Sequence, residues 1–344
     1  MIDCWSLWAI PGSEPRYYPS SPGHCPVSYA PVVTDLPSSS AAVDRAALLA
    51  GPGGTVQGVV TLAGGTHART YLIQTANPAQ EFILREFAAG DDAACREARV
   101  LATLAGLGGL APRLLVSGLD GPPPHGSWNL ISRLPGAADI TPGDPSGFAS
   151  QLGAALARIH STARHRLTGF PSVFDRPGGS MAALSGPAAS LVAAGWERLA
   201  AAQPVLTHYD FWSGNTVWKD GTLTGVVDWS GAALGPRGFD LSWCRLDLYL
   251  LFDQRIADKF TESYQAACAV ILPDLLVYDL WAVARSHQDV ESWVPNYRDL
   301  GRADLTAPVL RHRHTAWTQH LIELFADTPI TAVGKLGSHR DVAR

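Results

Sequence analysis

The sequence lacks several features that mark whole classes of protein. It contains no run of about 18 uninterrupted apolar residues, so we expect no transmembrane helix. Its first eleven residues include Asp3 but no lysine or arginine, which argues against a secretory signal peptide. The five cysteines are scattered and lack the spacing of metal ligands. An odd number of cysteines in a long chain indicates reduced thiols, and hence a cytoplasmic protein.

Basic charge is also in short supply. The chain has 26 Lys and Arg against 31 Asp and Glu, a net charge of −5. This balance disfavours nucleic acid and anionic membranes as partners. The surplus is concentrated in residues 240–330, which contain 13 acidic and 8 basic residues. Such a surplus is compatible with a cationic substrate, although solvation of the surface is its commoner cause.

The length and composition are those of a globular protein with more than one core. At 344 residues and 47% hydrophobic content, the chain is expected to form two lobes. Residues 1–45 are rich in Pro, Ser and Tyr and read as an extension, either disordered or packed over a lobe. We assign 46–136 to an N-terminal lobe, 137–328 to a C-terminal lobe and 329–344 to a flexible tail.

The order of the predicted elements indicates an α+β architecture. Short β-like runs between Val56 and Ile131 predict an antiparallel sheet of about five strands, interrupted by one helix over residues 91–107. Beyond a linker that ends near Gly136, apolar residues recur at helical spacing, and residues 241–325 are predicted to be largely helical. Strands followed by helices favour two segregated lobes.

Two carboxylates and one carboxamide, Asp210, Asp228 and Asn215, stand close together in the second lobe. Phosphoryl transfer from ATP needs such a set, because one carboxylate orients and deprotonates the attacking hydroxyl while other oxygen ligands hold magnesium. A hairpin turn at Asp220-Gly221 would place Asn215 and Asp228 on one face of a β-ribbon. Asp and Asn also serve as loop caps. For three such groups together we favour the catalytic interpretation.

The pattern His-x-Asp-x-x-x-x-Asn from His208 to Asn215, followed by an Asp-Trp pair, resembles the aminoglycoside phosphotransferase and choline kinase superfamily. The resemblance implies a bilobal protein-kinase-like fold, with an antiparallel sheet and one helix in the N-terminal lobe and a mainly helical C-terminal lobe. It also implies that Asp210 is the catalytic base and that Asn215 and Asp228 are magnesium ligands. His208 would position the loop.

We also predict roles for three further residues outside the metal and base set. Tyr209 stands where most family members have glycine, so we expect its side chain to crowd the acceptor. Asp240 is expected to be a helix N-cap that also braces the catalytic loop. His160 ends a helix in a Leu-x-x-x-His segment that resembles the family, and we expect a structural role.

The first lobe offers groups for the phosphates of a nucleotide. Glu97 lies on the apolar stripe of its helix with Leu101, where a carboxylate is costly unless paired, and Arg85 on the preceding strand is a fitting partner. The resemblance implies that Arg85 contacts phosphate and that Glu97 holds it. The alternative is a local surface pair between Glu97 and its neighbours Arg96 or Arg99.

Two loops complete the predicted nucleotide site. Gly64, Gly65 and Thr66 lie in a glycine-containing turn, where backbone N–H groups can approach phosphate oxygens. A segment resembling the family's hinge would offer adenine backbone hydrogen bonds from about Ser132 to Leu134.

These observations favour an ATP- and Mg²⁺-dependent phosphotransferase that acts on a small-molecule hydroxyl of an aminoglycoside, another antibiotic, an amino alcohol or a sugar. Asp247, Asp253 and Asp289 are candidates for the acceptor wall. The first alternative is an inactive nucleotide-binding regulator on the same fold, and measured ATP turnover distinguishes the two. A metal-dependent hydrolase using Asp210 and Asp228 ranks last. The oligomeric state stays open.

Overall fold

The computed structural model describes four stretches of the chain, residues 40–62, 68–119, 126–175 and 179–327. The described residues form two compact units. One contains the residues up to Pro135 together with Gly225–Gly231, and the other contains Gly136–Thr224 and the residues from Ala232 onward. Most of the predicted extension, residues 1–39, and the predicted tail, 329–344, lie outside the described residues.

The first unit is built on an antiparallel sheet. Its strands follow the order β1-β2-β3-β5-β4, and every neighbouring pair is antiparallel. This arrangement confirms the predicted five-stranded sheet. The elements are α1 (Ser40–Ala50), β1 (Thr55–Leu62), β2 (Ala68–Ala76), β3 (Gln80–Phe87), α2 (Ala93–Leu104), β4 (Leu114–Gly118) and β5 (Trp128–Ser132).

Helix α1 is an addition to the one helix that the sequence predicted for this lobe. It begins at Ser40, inside the stretch interpreted as an extension, and buries Ala42, Ala46 and Ala50 at intervals of four residues. Small side chains at this spacing form one apolar face of the helix. That face packs on a cluster of sheet residues, namely Tyr71, Ile73, Phe82, Leu84 and Leu130.

The second unit is mainly helical, as predicted. Two small sheets accompany its helices, one pairing β7 with β10 and the other ordered β6-β8-β9. None of the helices within the described stretches is long and apolar enough to cross a membrane. The elements are β6 (Ala137–Ala138), α3 (Pro145–His160), α4 (Ala189–Ala201), β7 (Pro204–Thr207), β8 (Thr216–Lys219), β9 (Thr222–Val226), β10 (Ala233–Pro236), α5 (Arg237–Leu251), α6 (Gln254–Cys268), α7 (Leu275–Ser286), α8 (Val294–Asp299) and α9 (Ala307–Asp327).

A close approach of α3 to α6 places the end of α3 in the core. A Cβ atom at Gly153 would meet the carbonyl oxygen of Phe260 at 2.5 Å and the backbone nitrogen of Tyr264 at 2.8 Å. Only glycine therefore allows the two helices this separation. Leu156 and Ile159 are fully buried along the same helix.

The turn between β8 and β9 has the predicted form. Asp220 and Gly221 have φ values of 50° and 72°. Positive φ at both central residues is the requirement of a type I′ hairpin turn.

Candidate functional site

Asp240 holds the loop that follows strand β7. Its Oδ2 accepts the backbone N–H of His208 and its Oδ1 that of Tyr209, each at 2.7 Å. The expected bracing of the loop is therefore present. The expected N-cap is wrong, because α5 begins at Arg237 with Pro236 as its cap and Asp240 lies in the first turn.

His160 supports Asp240 from the end of α3. Its Nε2 lies 3.1 Å from Asp240 Oδ2, and its Nδ1 lies 2.7 Å from the hydroxyl of Tyr264. Burial lowers the pKa of His160, although the Asp240 carboxylate opposes this effect. A neutral ring that donates from Nε2 to Asp240 and accepts at Nδ1 from Tyr264 satisfies both contacts. His160 is thus a buried structural group.

His208 is fully buried beneath the loop, where its ring meets Phe211 edge-on at a centroid distance of 6.1 Å. A ring without exposed surface cannot touch a substrate. The residue is therefore suited to positioning the loop, the role that the resemblance implied.

Tyr209 occupies a backbone conformation that favours glycine. Its φ is 65°, and a side chain in this region costs roughly 1–2 kcal/mol. Its ring is only 8% exposed and packs near Phe239 and Trp281, at centroid distances of 6.3 and 6.5 Å. The side chain thus packs into an aromatic core, and its effect on the acceptor stays a prediction.

The carboxylate of Asp210, the predicted base, is held by two N–H donors. The side-chain amide of Asn215 donates to the backbone oxygen of Asp210 at 2.9 Å and to its Oδ2 at 3.1 Å. The indole N–H of Trp243 donates to Oδ1 at 3.2 Å. Asp210 itself is partly exposed. Its carboxylate is oriented and open to solvent, as a general base requires.

Asp247 holds the next part of the loop. Its carboxylate accepts the backbone N–H of Ser213 and the hydroxyl of Tyr297, both at 2.9 Å. Burial raises the pKa of Asp247 to about 6. The residue was a candidate for the acceptor wall, but it is only 3% exposed and its carboxylate is engaged with Ser213 and Tyr297. Asp253, another candidate, caps α6 by accepting the N–H of Ile256 at 3.0 Å.

The first unit contains a buried ionic cluster around Arg85. Arg85 Nη1 donates to Glu97 Oε1, and Nη2 donates to Asp228 Oδ1 at 2.9 Å. The predicted contact between Arg85 and Glu97 is therefore present, whereas Arg96 pairs instead with the exposed carboxylate of Asp92. We call Arg85, Glu97, Asp228 and Asn129 the Arg85 cluster.

Within this cluster, burial and the neighbouring charges shift the pKa values in opposite directions. Burial alone would lower the pKa of Arg85, but the carboxylates of Asp228 and Glu97 outweigh burial and raise it. Burial raises the pKa of Glu97, and the guanidinium opposes this rise. Because three charges share the cluster, Arg85 stays protonated and is presented in a fixed orientation.

Asn129 completes the cluster, and the sequence analysis did not assign it a role there. Its Nδ2 donates to Glu97 Oε2 at 3.0 Å and to the Ala94 carbonyl at 2.9 Å. Its Oδ1 accepts the hydroxyl of Ser117 at 2.9 Å. The available signal was an asparagine inside an otherwise apolar strand, where a buried amide must be hydrogen-bonded.

Asp228 lies just beyond the end of β9, in a left-handed conformation with φ 62°. Its Oδ1 also accepts the hydroxyl of Ser230 at 2.9 Å. Asn215 ends the short 3₁₀ turn Ser213–Asn215. Neither residue belongs to a strand, so the prediction that they share one face of a β-ribbon is wrong. Asn215 and Asp228 are instead placed by the separate turns in which they lie.

The remaining predicted nucleotide contacts divide into two groups. Gly64, Gly65 and Thr66 lie outside the described residues. The backbone N–H of Ser132 donates to the carbonyl of Arg113 at 2.9 Å, so this donor is already engaged. Leu134 follows β5 and is partly buried.

Asp228 and Asn215, each considered within its own unit, carry oxygen atoms that suit a hard cation. Asp228 supplies carboxylate oxygen, and Asn215 supplies a carboxamide whose nitrogen is engaged with Asp210. The amide oxygen of Asn215 is therefore the atom available to ligate a cation. Carboxylate and amide oxygens are ligands that Mg²⁺ accepts.

Comparison with known proteins identifies the family. The model of the phosphotransferase enzyme family, APH, matches residues 58–281. No curated protein matches the sequence.

Solved structures that resemble the fold include the following three. An aminoglycoside-3'-phosphotransferase of type VIII is 21% identical, with a TM-score of 0.51, and the match covers 70% of this chain and 98% of that one. A macrolide 2'-phosphotransferase from Brachybacterium faecium is 19% identical, with a TM-score of 0.53, covering 82% and 98%. A thermostable aminoglycoside phosphotransferase mutant in complex with AMP-PNP and hygromycin B is 16% identical, with a TM-score of 0.51, covering 77% and 94%. The chain therefore has the kinase-like fold of these proteins and belongs to the phosphotransferase enzyme family.

Proposed function

We propose that this small-molecule phosphotransferase uses ATP as its Mg²⁺ complex and transfers the γ-phosphate to a hydroxyl group of its acceptor. The observation that carries the proposal is the carboxylate of Asp210, partly exposed and oriented by Asn215 and Trp243. Membership of the phosphotransferase enzyme family supports the reaction type. The structure with AMP-PNP and hygromycin B supports a nucleotide and a small-molecule acceptor for this fold.

Asp210 acts on the acceptor. It accepts the proton of the attacking hydroxyl while the hydroxyl oxygen bonds to the γ-phosphorus. The bond from that phosphorus to the bridging oxygen breaks, and ADP leaves with the electron pair. The donors on both oxygens of Asp210 keep its carboxylate in one rotamer, so the hydroxyl meets a preorganised base.

The other predicted residues bind the nucleotide. Arg85 contacts the phosphates, and Glu97 keeps the guanidinium in place. Asn215 and Asp228 would hold Mg²⁺, which would neutralise the charge that develops on the phosphate oxygens. Because the N–H of Ser132 is engaged, the backbone contact to adenine falls at the Leu134 end of the segment.

The test is a comparison of two alanine variants, with transfer of ³²P from ATP and nucleotide affinity measured separately. Asp210→Ala is expected to lower kcat by about 10³-fold while the ATP affinity changes less than about twofold, because the base acts on the acceptor. Asp228→Ala is expected to weaken Mg²⁺-dependent ATP binding by at least about tenfold.

Three outcomes contradict the proposal. Undiminished turnover in Asp210→Ala would show that Asp210 is not the base. Unchanged metal dependence of ATP binding in Asp228→Ala would show that Asp228 is not a metal ligand. A wild type that binds ATP tightly yet phosphorylates nothing in a broad panel of alcohols identifies a nucleotide-binding regulator instead.

A further inference from the structure

Trp243 links the predicted base to an aromatic surface in the second unit. It lies in α5, 33 positions after Asp210, and its Nε1 is 3.2 Å from Asp210 Oδ1. A base must lie within about 3 Å of the hydroxyl that it deprotonates. Because Trp243 and the hydroxyl both contact the same carboxylate, the indole ring is a neighbour of the acceptor.

The ring of Trp243 has a fixed place. It contacts Trp293 at a centroid distance of 5.3 Å and an interplanar angle of 66°, and Trp281 at 6.2 Å. Trp281 in turn stacks on Phe239 at 4.3 Å, and both rings are almost fully buried. Trp243 and Trp293 remain partly exposed. The two rings form an aromatic wall, here called the Trp243 wall, that rests on the core.

An ion pair also fixes the turn that contains Trp293. The 3₁₀ turn Val290–Trp293 contains Glu291, whose carboxylate forms a two-pronged pair with Arg311 of α9. Arg311 donates in addition to the carbonyl of His287 at 2.7 Å. The Trp243 wall is thus preorganised, which reduces the entropy cost of binding against it.

Most carboxylates of this region are engaged and do not form a cation site. Asp240 and Asp247, the two that flank the catalytic loop, accept backbone N–H groups of that loop. Others form internal ion pairs, namely Arg245 with Asp258 and Asp279, Arg198 with Asp274, Arg302 with Asp304, and Arg311 with Glu291. Most of the acidic surplus is therefore accounted for by contacts within the protein, and Asp289, just before the turn of Trp293, is an acceptor-wall candidate that stays partly exposed.

The spacing of the wall rings also argues against a cage for a quaternary ammonium group. A cation binds over the face of an aromatic ring. Trp243 and Trp293 contact each other directly, which leaves no room for an ion between them. A single exposed indole face therefore offers a cation one ring instead of a cage, whereas a flat, uncharged ring can bury apolar area over that whole face.

We propose that Trp243 is both a positioning residue and a specificity residue of the acceptor half of the site. Its N–H holds Oδ1 of Asp210 in the orientation that receives the hydroxyl proton. Its ring, with Trp293, contacts an uncharged ring of the acceptor next to the reacting hydroxyl. The inference rests on the proposed phosphotransferase function and names the acceptor class for it.

Two substitutions separate the two roles. Trp243→Phe keeps an aromatic ring but removes the N–H, so kcat is expected to fall about 10- to 100-fold with little change in the acceptor KM. Trp243→Leu removes the ring as well, so the acceptor KM should additionally rise about tenfold. The KM for ATP should stay within about twofold in both variants, because the wall does not serve the nucleotide.

Two controls guard against a purely structural effect. Trp196→Phe changes another partly buried tryptophan, which lies on α4 and packs against Phe174, and kcat should remain at the wild-type value. β-(3-Benzothienyl)alanine incorporated at position 243 keeps the two-ring shape with sulfur in place of N–H. It should reproduce the loss of kcat with an unchanged melting temperature.

The acceptor class is tested with neutral aromatic glycosides and nucleosides against kanamycin and choline. A wild type with higher kcat/KM for the neutral ring compounds supports the inference, and preference for kanamycin or choline overturns it. A kcat in the benzothienyl variant equal to that of wild type removes the positioning role. If the wild type binds ATP but phosphorylates no acceptor, the proposed function itself fails, which is distinguishable from either result.

Discussion

In the first unit a buried guanidinium is held by carboxylates, whereas in the second unit a carboxylate is held by amide and indole N–H groups. Arg85 contacts the carboxylates of Glu97 and Asp228. Asp210 receives hydrogen bonds from Asn215 and Trp243. The first arrangement depends on buried charge, where loss of one partner is costly. The second depends on neutral donors aimed at one partly exposed group, so it is more sensitive to geometry than to charge.

Each unit has a non-glycine residue with a positive φ at its predicted site. Tyr209 in the second unit and Asp228 in the first have φ values of 65° and 62°. Non-glycine residues in this conformation persist only where the surroundings impose it. Asp240 does so for Tyr209 by accepting its N–H, and Arg85 with Ser230 anchors the Asp228 side chain. Strain therefore coincides with the predicted site in each unit.

The largest effect on stability is expected from removing a charge from the Arg85 cluster. Glu97→Ala should destabilise the protein by about 3–4 kcal/mol, because Arg85 keeps only one of its two carboxylates in a buried setting. Urea unfolding measures the change. Asp92→Asn on the same helix breaks an exposed pair and should cost less than about 0.5 kcal/mol. Equal effects of the two substitutions would show that burial does not set the energy of the cluster.

A second prediction concerns pH in the second unit. Burial raises the pKa of Asp247 from 3.8 to about 6, so between these values the folded state binds a proton that the unfolded chain releases. Stability from this group is therefore present at about pH 4 and lost as pH rises towards 6. Asp247→Asn cannot titrate. The stability of wild type relative to this variant should fall by about 2–3 kcal/mol across the window.

Urea unfolding of both proteins at several pH values from 4 to 7 measures this difference. A difference that stays level across the window would show that Asp247 does not titrate there.

The smallest of the three effects concerns Asp240. Asp240→Asn should destabilise the protein by about 2 kcal/mol, because an amide cannot accept from both backbone N–H groups of the loop. A fall in kcat should accompany the loss, since the loop that contains Asp210 depends on these bonds. Asp253→Asn also replaces a carboxylate that accepts a backbone N–H, but asparagine caps a helix equally well. If both variants match wild type in kcat, Asp240 does not position the loop.

The sequence was informative where chemistry depends on neighbouring residues. The motif from His208 to Asn215 and the carboxylate at 228 could be recognised because their spacing is short. The pairing of Arg85 with Glu97 could be predicted because a carboxylate on an apolar helix stripe needs a partner. The strands and the turn at Asp220-Gly221 followed from local propensity.

Contacts between distant segments were missed. Trp243 and Asp247 belong to a helix more than 30 residues after the loop that they hold, and nothing local distinguishes them from core residues or surface acids. Asn129 was assigned no role, and helix α1 was missed because it begins inside a stretch whose first part is rich in proline and serine. In each case the partner is set by packing, which sequence spacing does not encode.

Short spacings in the sequence were enough to predict a phosphotransferase and its candidate polar side chains, because phosphoryl transfer requires particular side chains. The groups that hold these side chains became clear only from the folded chain. The tertiary structure assigned Asp240 and Asp247 to the backbone of the loop, Tyr209 to the aromatic core and Trp243 to the predicted base. The physical reason is that buried polar groups must find partners, and the folded packing alone determines which partners are within reach.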